Sequence, residues 1–256
     1  MRIIFLGTGT SMGVPVIACG CKACKSVDSH DRRMRTSALI QTNDGKNILI
    51  DIGPDFRTQM LRHDVSHLDA ILITHSHRDH VGGLDDIRAF NYIQRSPMQL
   101  YGNQEALDMI RHDYHYIFEP HEYEGLPEAY LNYLTGNDMF EAAGHTIVPI
   151  KAMHKTLPVL GYRIGNLVYI TDANHIEPTE LDKVKGCDTL VLNALRKERH
   201  FSHFSLPEAL QIISQVGPRQ AFLTHISHDM GLSADVQPML PDHVRLAWDG
   251  LEADVR

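Results

Sequence analysis

Four side chains that can bind metal ions lie within six residues of the sequence, at His75, His77, Asp79 and His80. They follow directly after the apolar segment 70–74, which has the composition of a buried strand. In an extended chain His75 and His77 point to the same side, so both can bind one ion. Asp79 and His80 follow where the chain must turn and can face a second ion. This spacing predicts a dinuclear metal centre rather than a solvated polar loop.

Three further candidate ligands, His154, Asp172 and His225, follow other apolar segments. Side chains at the carboxyl ends of adjacent strands meet at one edge of a sheet, so these residues can converge on the first four. A carboxylate can bridge two ions, which makes Asp172 the expected bridging ligand. Taken singly, the two histidines could be hydrogen-bonded surface residues, and Asp172 could form a turn. Together the seven predict one site of His75, His77, His154 and Asp172, and another of Asp79, His80, His225 and Asp172.

A second cluster of possible ligands consists of Cys19, Cys21 and Cys24. Three thiols so close in sequence, in a chain with no export signal, favour metal binding over disulfides, although free or redox-active thiols are an alternative. Zinc prefers four ligands, and His228 could supply the fourth. Cys187 is the competing ligand, but it precedes a buried strand and is typical of a core cysteine. A site with four protein ligands would stabilise the fold rather than catalyse.

The elements that would position these residues alternate along the chain. Helical patterns lie at 56–63, 84–93, 104–117 and 206–216, the last with Ser205 as its cap and Glu208 three residues later. Short apolar runs predict strands at 2–6, 38–42, 47–50, 70–73, 98–101, 146–150, 160–164, 167–170, 189–192, 221–223 and 244–247. We expect an α/β fold, with two β-sheets packed together, helices outside them, and one compact domain over residues 1–256.

Composition limits the possible partners. The chain has 256 residues, a formal net charge of -8 and no block of Lys and Arg long enough to follow a polyanion, which disfavours a stable complex with nucleic acid. A small phosphate ester is compatible with this charge, because metal ions supply positive charge locally. No apolar run approaches the roughly 20 residues that cross a bilayer, so no membrane association is expected. The amino-terminal residues resemble a strand rather than a signal peptide, which favours the cytosol.

The ligand set as a whole resembles that of the metallo-β-lactamase superfamily, as do the segments 7–10 and 49–53. The resemblance implies an αββα sandwich of two mixed sheets, with the metals at one edge, and implies that Asp51 orients a ligand histidine. Zinc β-lactamases usually have a cysteine in place of Asp172 and lack the histidine at His80, so β-lactam hydrolysis is disfavoured. Glyoxalase-type thioesterases share the full ligand set and remain an alternative.

The cysteine cluster narrows the resemblance to the cyclic phosphodiesterases of the carbon–phosphorus lyase pathway, the PhnP family. It implies a structural zinc on Cys19, Cys21, Cys24 and His228, and two active-site ions. Ligand type suits Mn²⁺ and Zn²⁺ about equally in the active site, and the resemblance favours Mn²⁺. The implied substrate is a small cyclic phosphodiester, such as a ribosyl 1,2-cyclic phosphate or a nucleoside 2′,3′-cyclic phosphate. A homodimer is also possible on this resemblance.

A proton donor for the leaving oxygen is implied by the same resemblance. The resemblance assigns the role of proton donor to His203, just before the helix that starts near Leu206, with His200 as the alternative. In the expected reaction a hydroxide held between the two ions attacks phosphorus, with Asp79 and Asp172 completing the catalytic group. His203 could instead simply pack at the helix amino terminus, where the helix dipole would lower its pKa.

Other functions remain less well supported by the sequence. A tRNA 3′-processing endonuclease would need an arm to hold RNA, but segment 119–137 is acidic and rich in tyrosine. A non-catalytic zinc-binding module would be expected to lack some of the seven ligands, and none is missing. A thioesterase would not need His203, so this position separates the two enzyme hypotheses.

Overall fold

Two seven-stranded sheets form the centre of the molecule in the computed structural model, which describes residues 1–119, 123 and 125–256. The first sheet contains, from edge to edge, β14 (Glu252–Asp254), β1 (Arg2–Gly7), β2 (Ser37–Gln41), β3 (Asn47–Ile50), β4 (Ala70–Leu72), β5 (Met98–Asn103) and β6 (Ala129–Leu134). The second contains β13 (Val244–Leu246), β12 (Gln220–Thr224), β11 (Thr189–Asn193), β10 (Leu167–Ile170), β9 (Leu157–Ile164), β8 (His145–His154) and β7 (Phe140–Ala142).

The two sheets repeat one pattern of strand pairing. In the first, the pairs from β14 to β3 are antiparallel and those from β3 to β6 are parallel. In the second, the pairs from β7 to β10 are antiparallel and those from β10 to β13 are parallel. The parallel strands β4, β10 and β12 carry predicted ligands at or just after their carboxyl ends, as parallel sheets of α/β proteins commonly do, whereas His154 ends the antiparallel strand β8.

Helices connect the strands: α1 (Lys22–Lys25), α2 (Phe56–Arg62), α3 (Arg78–Val81), α4 (Arg88–Gln94), α5 (Gln104–Asp113), α6 (His115–Phe118), α7 (Pro178–Val184), α8 (Leu206–Val216) and α9 (Ser233–Val236). Short 3₁₀ turns occur at Ser29–Asp31, Leu84–Ile87, His228–Met230 and Gln237–Met239. In the described part of the chain, none of these helices has the length and apolar character to span a membrane.

Three hydrophobic clusters form the layers of the core. One lies between the sheets, where Phe5 of β1 contacts Phe222 of β12 at a ring distance of 5.2 Å. The other two lie on the outer faces, where Phe56 packs on the first sheet and Ile213 on the second. Because each sheet buries apolar residues on both faces, its strands are apolar almost throughout. The predicted αββα sandwich of two mixed sheets is confirmed.

Several element boundaries differ from the prediction. The helix predicted at 104–117 is two helices, α5 and α6, separated at Tyr114, which is buried and donates its hydroxyl to Val81 O at 3.0 Å. The helix predicted at 84–93 begins as a 3₁₀ turn and continues as α4. Segment 119–137 contains residues 120–122 and 124, which lie outside the described residues, so the predicted lack of a basic RNA-binding face stays a prediction.

Candidate metal centre

Strand ends bring the predicted ligands together at one edge of the sandwich. His75 follows β4, and Asp79 and His80 lie on the short helix α3 that comes next. Asp172 and His225 follow β10 and β12. His154 is the last residue of β8, which runs four residues further than the predicted strand. The approach of helix α3 to the first sheet requires Gly53, because a Cβ there would lie 2.2 Å from Asp79 O.

Left-handed backbone conformations occur at three residues of this edge. Asp51, Asp172 and His225 have φ values of 62°, 54° and 56°. Such conformations cost about 1–3 kcal/mol for residues other than glycine and tend to occur at functional sites. Asp51 and His225 directly follow strands β3 and β12, and Asp172 follows strand β10 after one intervening residue. Three of the non-glycine residues with positive φ therefore lie where side chains of the centre leave the sheets.

The carboxylate of Asp172 lies between the two predicted groups. Its Oδ1 is 2.9 Å from His225 Nδ1 and 3.4 Å from His80 Nε2, while its Oδ2 is 3.6 Å from His75 Nε2. Asp79 Oδ2 is 3.2 Å from His80 Nε2. The two oxygens thus face different sets of side chains, which is the geometry that a bridging carboxylate needs.

The ligand atoms of Asp79, His80, Asp172 and His225 all lie within 4.8 Å of one another, as do those of His75, His77 and Asp172. His154 forms a third such group with Asp172 and His203, and its ring centroid is 5.1 Å from that of His77. The structure therefore brings all seven predicted residues together. It also places His203 against the same carboxylate.

Unpaired nitrogen atoms show that this edge suits a cation. His75 Nε2, His80 Nε2, His154 Nδ1 and His225 Nδ1 are buried and form no hydrogen bond. Leaving a buried polar atom unpaired costs about 1–3 kcal/mol, so four of them at one place require an explanation. Each belongs to a predicted ligand and lies near carboxylate oxygens. Imidazole and carboxylate together form a donor set that Zn²⁺ and Mn²⁺ both accept.

Asp51 supports one of the ligands from behind, as predicted. Its Oδ2 accepts hydrogen bonds from His80 Nδ1 at 2.6 Å and from Thr74 Oγ1 at 2.8 Å, and its Oδ1 accepts one from Thr74 N at 2.8 Å. Both Asp51 and His80 are completely buried. This contact fixes the tautomer of His80, so Nε2 faces the centre as an acceptor.

Buried charges account for the shifted pKa values. Burial would lower the pKa of His80, but Asp172, Asp79 and Asp51 together raise it well above its usual value. Burial would likewise raise the pKa of Asp172, yet His225 and His80 hold it well below its usual range. Burial lowers the pKa of His154 to about 4. The centre therefore holds ionised carboxylates that stabilise a proton on His80, and a divalent cation bound there would displace that proton and leave Nε2 free to bind it.

His203 and its neighbours form a small network at the rim. Its Nε2 lies 3.4 Å from Asp172 Oδ2 and is buried without a hydrogen bond. On the other side of the ring, Nδ1 lies 3.0 Å from Ser202 Oγ and 3.2 Å from His200 Nδ1. Burial lowers the pKa of His203, and Asp172 partly opposes this. Between the two candidate proton donors, the structure places His203 against the centre and His200 behind it.

Two cavities adjoin the centre. One of about 480 Å³ lies beside His203 and is lined by Asn174, Arg199, His200, Phe201, His203 and Glu208. The other, of about 410 Å³, lies beside Asp79 and is lined by Ser11, Met12, Ile17, Arg35, Pro54, Arg78 and Asp79. Both are within the size range of small-molecule sites. A substrate bound at the metals could therefore extend in either direction.

The cysteine cluster forms a separate group. The Sγ atoms of Cys19, Cys21 and Cys24 lie 3.3, 3.4 and 3.6 Å from His228 Nδ1, and the four ligand atoms are all within 4.8 Å of one another. A hydrogen bond from the Cys24 backbone N–H lowers the pKa of Cys21 to about 6, which favours a thiolate there. Cys187, the competing fourth ligand, belongs instead to the outer hydrophobic cluster of the second sheet.

Some residues around the centre were not identified from the sequence. Thr74, Asn174 and Ser202 are hydrogen-bonded to centre residues or to their neighbours. A threonine directly precedes His75, Asp172 and His225 in the sequence, and this repetition is a signal by which Thr74 could be found. The cavity residues Phe201 and Arg35 gave none, because their positions depend on how distant loops fold.

Comparison with known proteins gives a consistent result. A family model described as Beta-lactamase superfamily domain matches residues 46–226. An octanoyltransferase of Porphyromonas gingivalis is 43% identical over 254 residues, 99% of this chain and 51% of that protein. A coenzyme PQQ synthesis protein B of Methylobacterium nodulans is 32% identical over 123 residues, 43% of this chain and 40% of that protein. The chain spans about half or less of the length of these curated relatives.

Among solved structures, a diphosphatase from the PhnP family matches with a TM-score of 0.92 and 35% identity, over 100% of this chain and 98% of that one. The Zn²⁺-bound PqqB of Methylobacterium extorquens matches with a TM-score of 0.80 and 18% identity over the whole of both chains. Human short-form tRNase Z matches with a TM-score of 0.73 and 17% identity, again over both whole chains. The last two likenesses concern the fold alone.

Proposed function

We propose that this chain, which belongs to the β-lactamase superfamily and within it to the PhnP family of metal-dependent hydrolases, cleaves a small phosphodiester. A cyclic one, such as a ribosyl 1,2-cyclic phosphate or a nucleoside 2′,3′-cyclic phosphate, is our first choice. The observation that supports this most is the position of His203. Its unpaired Nε2 lies 3.4 Å from Asp172 Oδ2, between the ligand cluster and an open cavity. A phosphoester needs a proton donor at such a place.

Two active-site ions and a structural zinc complete the proposal. His75, His77 and His154 with Asp172 would hold one ion, and Asp79, His80 and His225 with Asp172 the other. When bound, the ions would activate water and stabilise negative charge on the phosphoryl oxygens. We favour Mn²⁺ over Zn²⁺ in this centre, and zinc at Cys19, Cys21, Cys24 and His228.

The chain's own residues then have distinct tasks. His203 delivers a proton from Nε2 to the leaving oxygen, while Ser202 and His200 hold the opposite edge of its ring. Because burial lowers the pKa of His203, the negative charge of the substrate is needed to keep its imidazole protonated. His77 is exposed, in contrast to His75 and His80, so the substrate reaches the centre on that side.

Thioester hydrolysis is the main alternative, because it uses the same ligands. The name of the Porphyromonas gingivalis relative adds an octanoyl thioester to the compounds worth testing. We do not transfer its acyl-transfer activity, since this chain spans only 51% of that protein. Cleavage of tRNA is less favoured, given the net charge of -8. The homodimer stays a prediction.

Turnover of a substrate panel tests the proposal. The purified protein would be analysed for bound metals, loaded with Mn²⁺ or Zn²⁺, and assayed on cyclic phosphates, bis-aryl phosphates, a glutathione thioester and an octanoyl thioester. We expect hydrolysis of phosphodiesters and loss of activity with a chelator. Turnover of thioesters without turnover of any phosphodiester would refute the proposal.

The role of His203 is tested by its dependence on the leaving group. His203→Ala should reduce the rate at least about tenfold on a diester with an alkyl leaving group, which needs protonation. On a p-nitrophenyl ester the loss should be smaller, because that group leaves as a stable anion. His200→Ala tests the alternative donor, and His112→Ala, which removes an exposed histidine outside the candidate metal groups, is the matched control. Equal losses on both substrates would assign His203 a structural role, and a loss confined to His200→Ala would make His200 the acid.

A further inference from the structure

The cavity beside His203 contains an aromatic side chain that the proposed chemistry does not use. Phe201 is 68% exposed, although a phenylalanine ring at the surface gains nothing from water. Single exposed apolar residues are common, so exposure alone carries little weight. Phe201, however, lines a cavity of about 480 Å³ that also contains His203. Its ring is therefore available to whatever is attached to the leaving oxygen.

Hydrogen bonds connect the backbone of Phe201 to residues next to the candidate metal centre. Asn174, two residues after Asp172, donates from Nδ2 to Phe201 O at 3.2 Å. Its Oδ1 accepts a hydrogen bond from Lys155 N at 2.7 Å, and Lys155 directly follows His154. One amide side chain thus connects the Phe201 loop to the strands that carry two candidate ligands. The distance from Phe201 to the centre is set by these contacts.

Lys155 lies over the Phe201 ring, the His200 ring packs 4.4 Å from it, and Arg199 lines the same cavity. Lys155 Nζ lies 5.4 Å from the centroid of Phe201, within the range of a cation–π contact. Arg199 also lines the cavity, with a side chain that is 88% exposed. Its Nε lies 3.5 Å from Glu208 Oε1, while the other carboxylate oxygen of Glu208 caps helix α8 through Ser205 N and Oγ. Glu208 offsets the charge of Arg199, so the positive charge nearest the ring is that of Lys155, which lies beside the cavity lining.

An aromatic face beside cations is the combination that binds a base joined to a phosphate, by stacking on one side and ion pairing on the other. The second cavity, beside Asp79, has two arginines but no aromatic ring among its lining residues in the described part of the chain. The two cavities therefore differ in the chemistry that they can recognise.

We propose that Phe201, with Lys155 and Arg199, forms a base-binding subsite, so that the substrate is a nucleotide ester rather than a base-free sugar phosphate. This deepens the proposed function and rests on it, since the subsite is assigned to the leaving side of the same reaction. Phe201 acts as a specificity-determining residue: it binds the base and takes no part in proton transfer.

Binding of a nucleotide and of its base-free counterpart tests this subsite without relying on turnover. The dissociation constants of adenosine 5′-monophosphate and ribose 5-phosphate would be measured by calorimetry on the metal-loaded protein, for the wild type, Phe201→Leu and Phe201→Tyr. Loss of base stacking should weaken binding of the nucleotide about tenfold in Phe201→Leu and change ribose 5-phosphate less than twofold. Phe201→Tyr should bind both ligands as the wild type does.

Tyr92→Leu is the matched control, because it removes an aromatic residue that is 63% exposed but lines a different cavity. The subsite is refuted if the wild type binds neither ligand, if it binds both equally, or if Phe201→Leu affects both equally. These results can occur in a protein that cleaves phosphodiesters. Conversely, Phe201-dependent nucleotide binding in a protein that turns over only thioesters would support the subsite and refute the proposed function.

Discussion

Single residues decide which chemistry this edge of the sandwich can perform. Asp172 provides two carboxylate oxygens that face different imidazoles, where a thiolate would offer one sulfur atom. His80 is present and completely buried, and it is held by Asp51 at 2.6 Å. These are the two positions at which the chain departs from zinc β-lactamases. The departures therefore affect the shape of the metal centre itself, rather than its surroundings.

Replacing Asp51 by Asn tests how strongly a residue outside the ligand set controls the metals. The amide nitrogen of Asn would face either the Thr74 N–H or the His80 N–H, which are both donors to the carboxylate. We expect the affinity for the active-site metals to fall by about 10–100-fold. Competition with a chromophoric chelator measures this. Asp249→Asn, which changes a buried carboxylate that belongs to none of the candidate metal groups, is the control.

An unchanged metal affinity in a folded Asp51→Asn protein would show that His80 keeps its orientation without the carboxylate. Circular dichroism and the melting temperature of the apo protein would establish that the variant is folded. The prediction is that metal affinity falls in Asp51→Asn and not in Asp249→Asn. A loss of stability that both variants share would therefore not produce the predicted difference.

At the scale of elements, the centre was predictable to the extent that it depends on short sequence patterns. The ligands of α3 lie together in sequence, and the parallel strands β4, β10 and β12 are apolar runs of ordinary length. Helix α8 begins with the capping box of Ser205 and Glu208, and its predicted bounds are confirmed. In each case local chemistry and the tertiary fold favour the same structure.

Other elements had no such local signal. Strand β6 is only half-buried, and strands β7 and β14 have three residues each, too few to show a period. Strand β7 pairs with the adjacent β8, whereas β14 pairs with β1 at the other end of the chain. Helix α7 begins at Pro178 and has seven residues, too few to show an amphipathic period. The Phe201 cavity depends in the same way on a long-range contact, that of Asn174 with residue 201. Tertiary contacts determine these features, and the periodicity of the sequence does not predict them.

The cysteine loop offers a prediction at this scale. Cys19, Cys21 and Cys24, in and around α1, meet His228 in the 3₁₀ turn that follows β12, so a metal there would connect distant parts of the chain. Cys21→Ser should remove one equivalent of zinc and lower the melting temperature, since binding energy at a structural site contributes to folding. Phosphodiester turnover should stay within a few-fold of wild type. Metal analysis and thermal unfolding measure both effects.

Cys187→Ser is the matched control, because Cys187 is buried in a hydrophobic cluster and away from His228. It should retain the zinc. Retention of zinc by Cys21→Ser, or loss of zinc by Cys187→Ser, would contradict the assignment of the site. Complete loss of the active-site ions in Cys21→Ser would show that the two metal sites are not independent.

At the scale of the molecule, Asp249 links the two halves of the sandwich. It follows β13 of the second sheet, and its carboxylate accepts hydrogen bonds from Thr8 Oγ1 at 2.8 Å and Met34 N at 2.6 Å, next to strands of the first sheet. Arg33, which is buried, donates to the same Thr8 hydroxyl at 2.8 Å. Burial nevertheless raises the pKa of Asp249 to about 6, with Arg33 and Arg62 only partly compensating.

This raised pKa predicts how stability depends on pH. Between about pH 4 and 6 the folded protein holds a proton on Asp249 that the unfolded chain has released, so the contribution of Asp249 to the free energy of unfolding falls as pH rises through this window. At about 1.4 kcal/mol per pH unit the loss is about 3 kcal/mol. In Asp249→Asn this contribution is absent. Urea unfolding of both proteins from pH 4 to 7 should show the stability of the wild type, relative to the variant, falling by that order and then levelling off above pH 6. A difference that is constant or increases with pH would mean that Asp249 is ionised in the folded protein throughout, and that its charge is a stable part of the contact between the sheets.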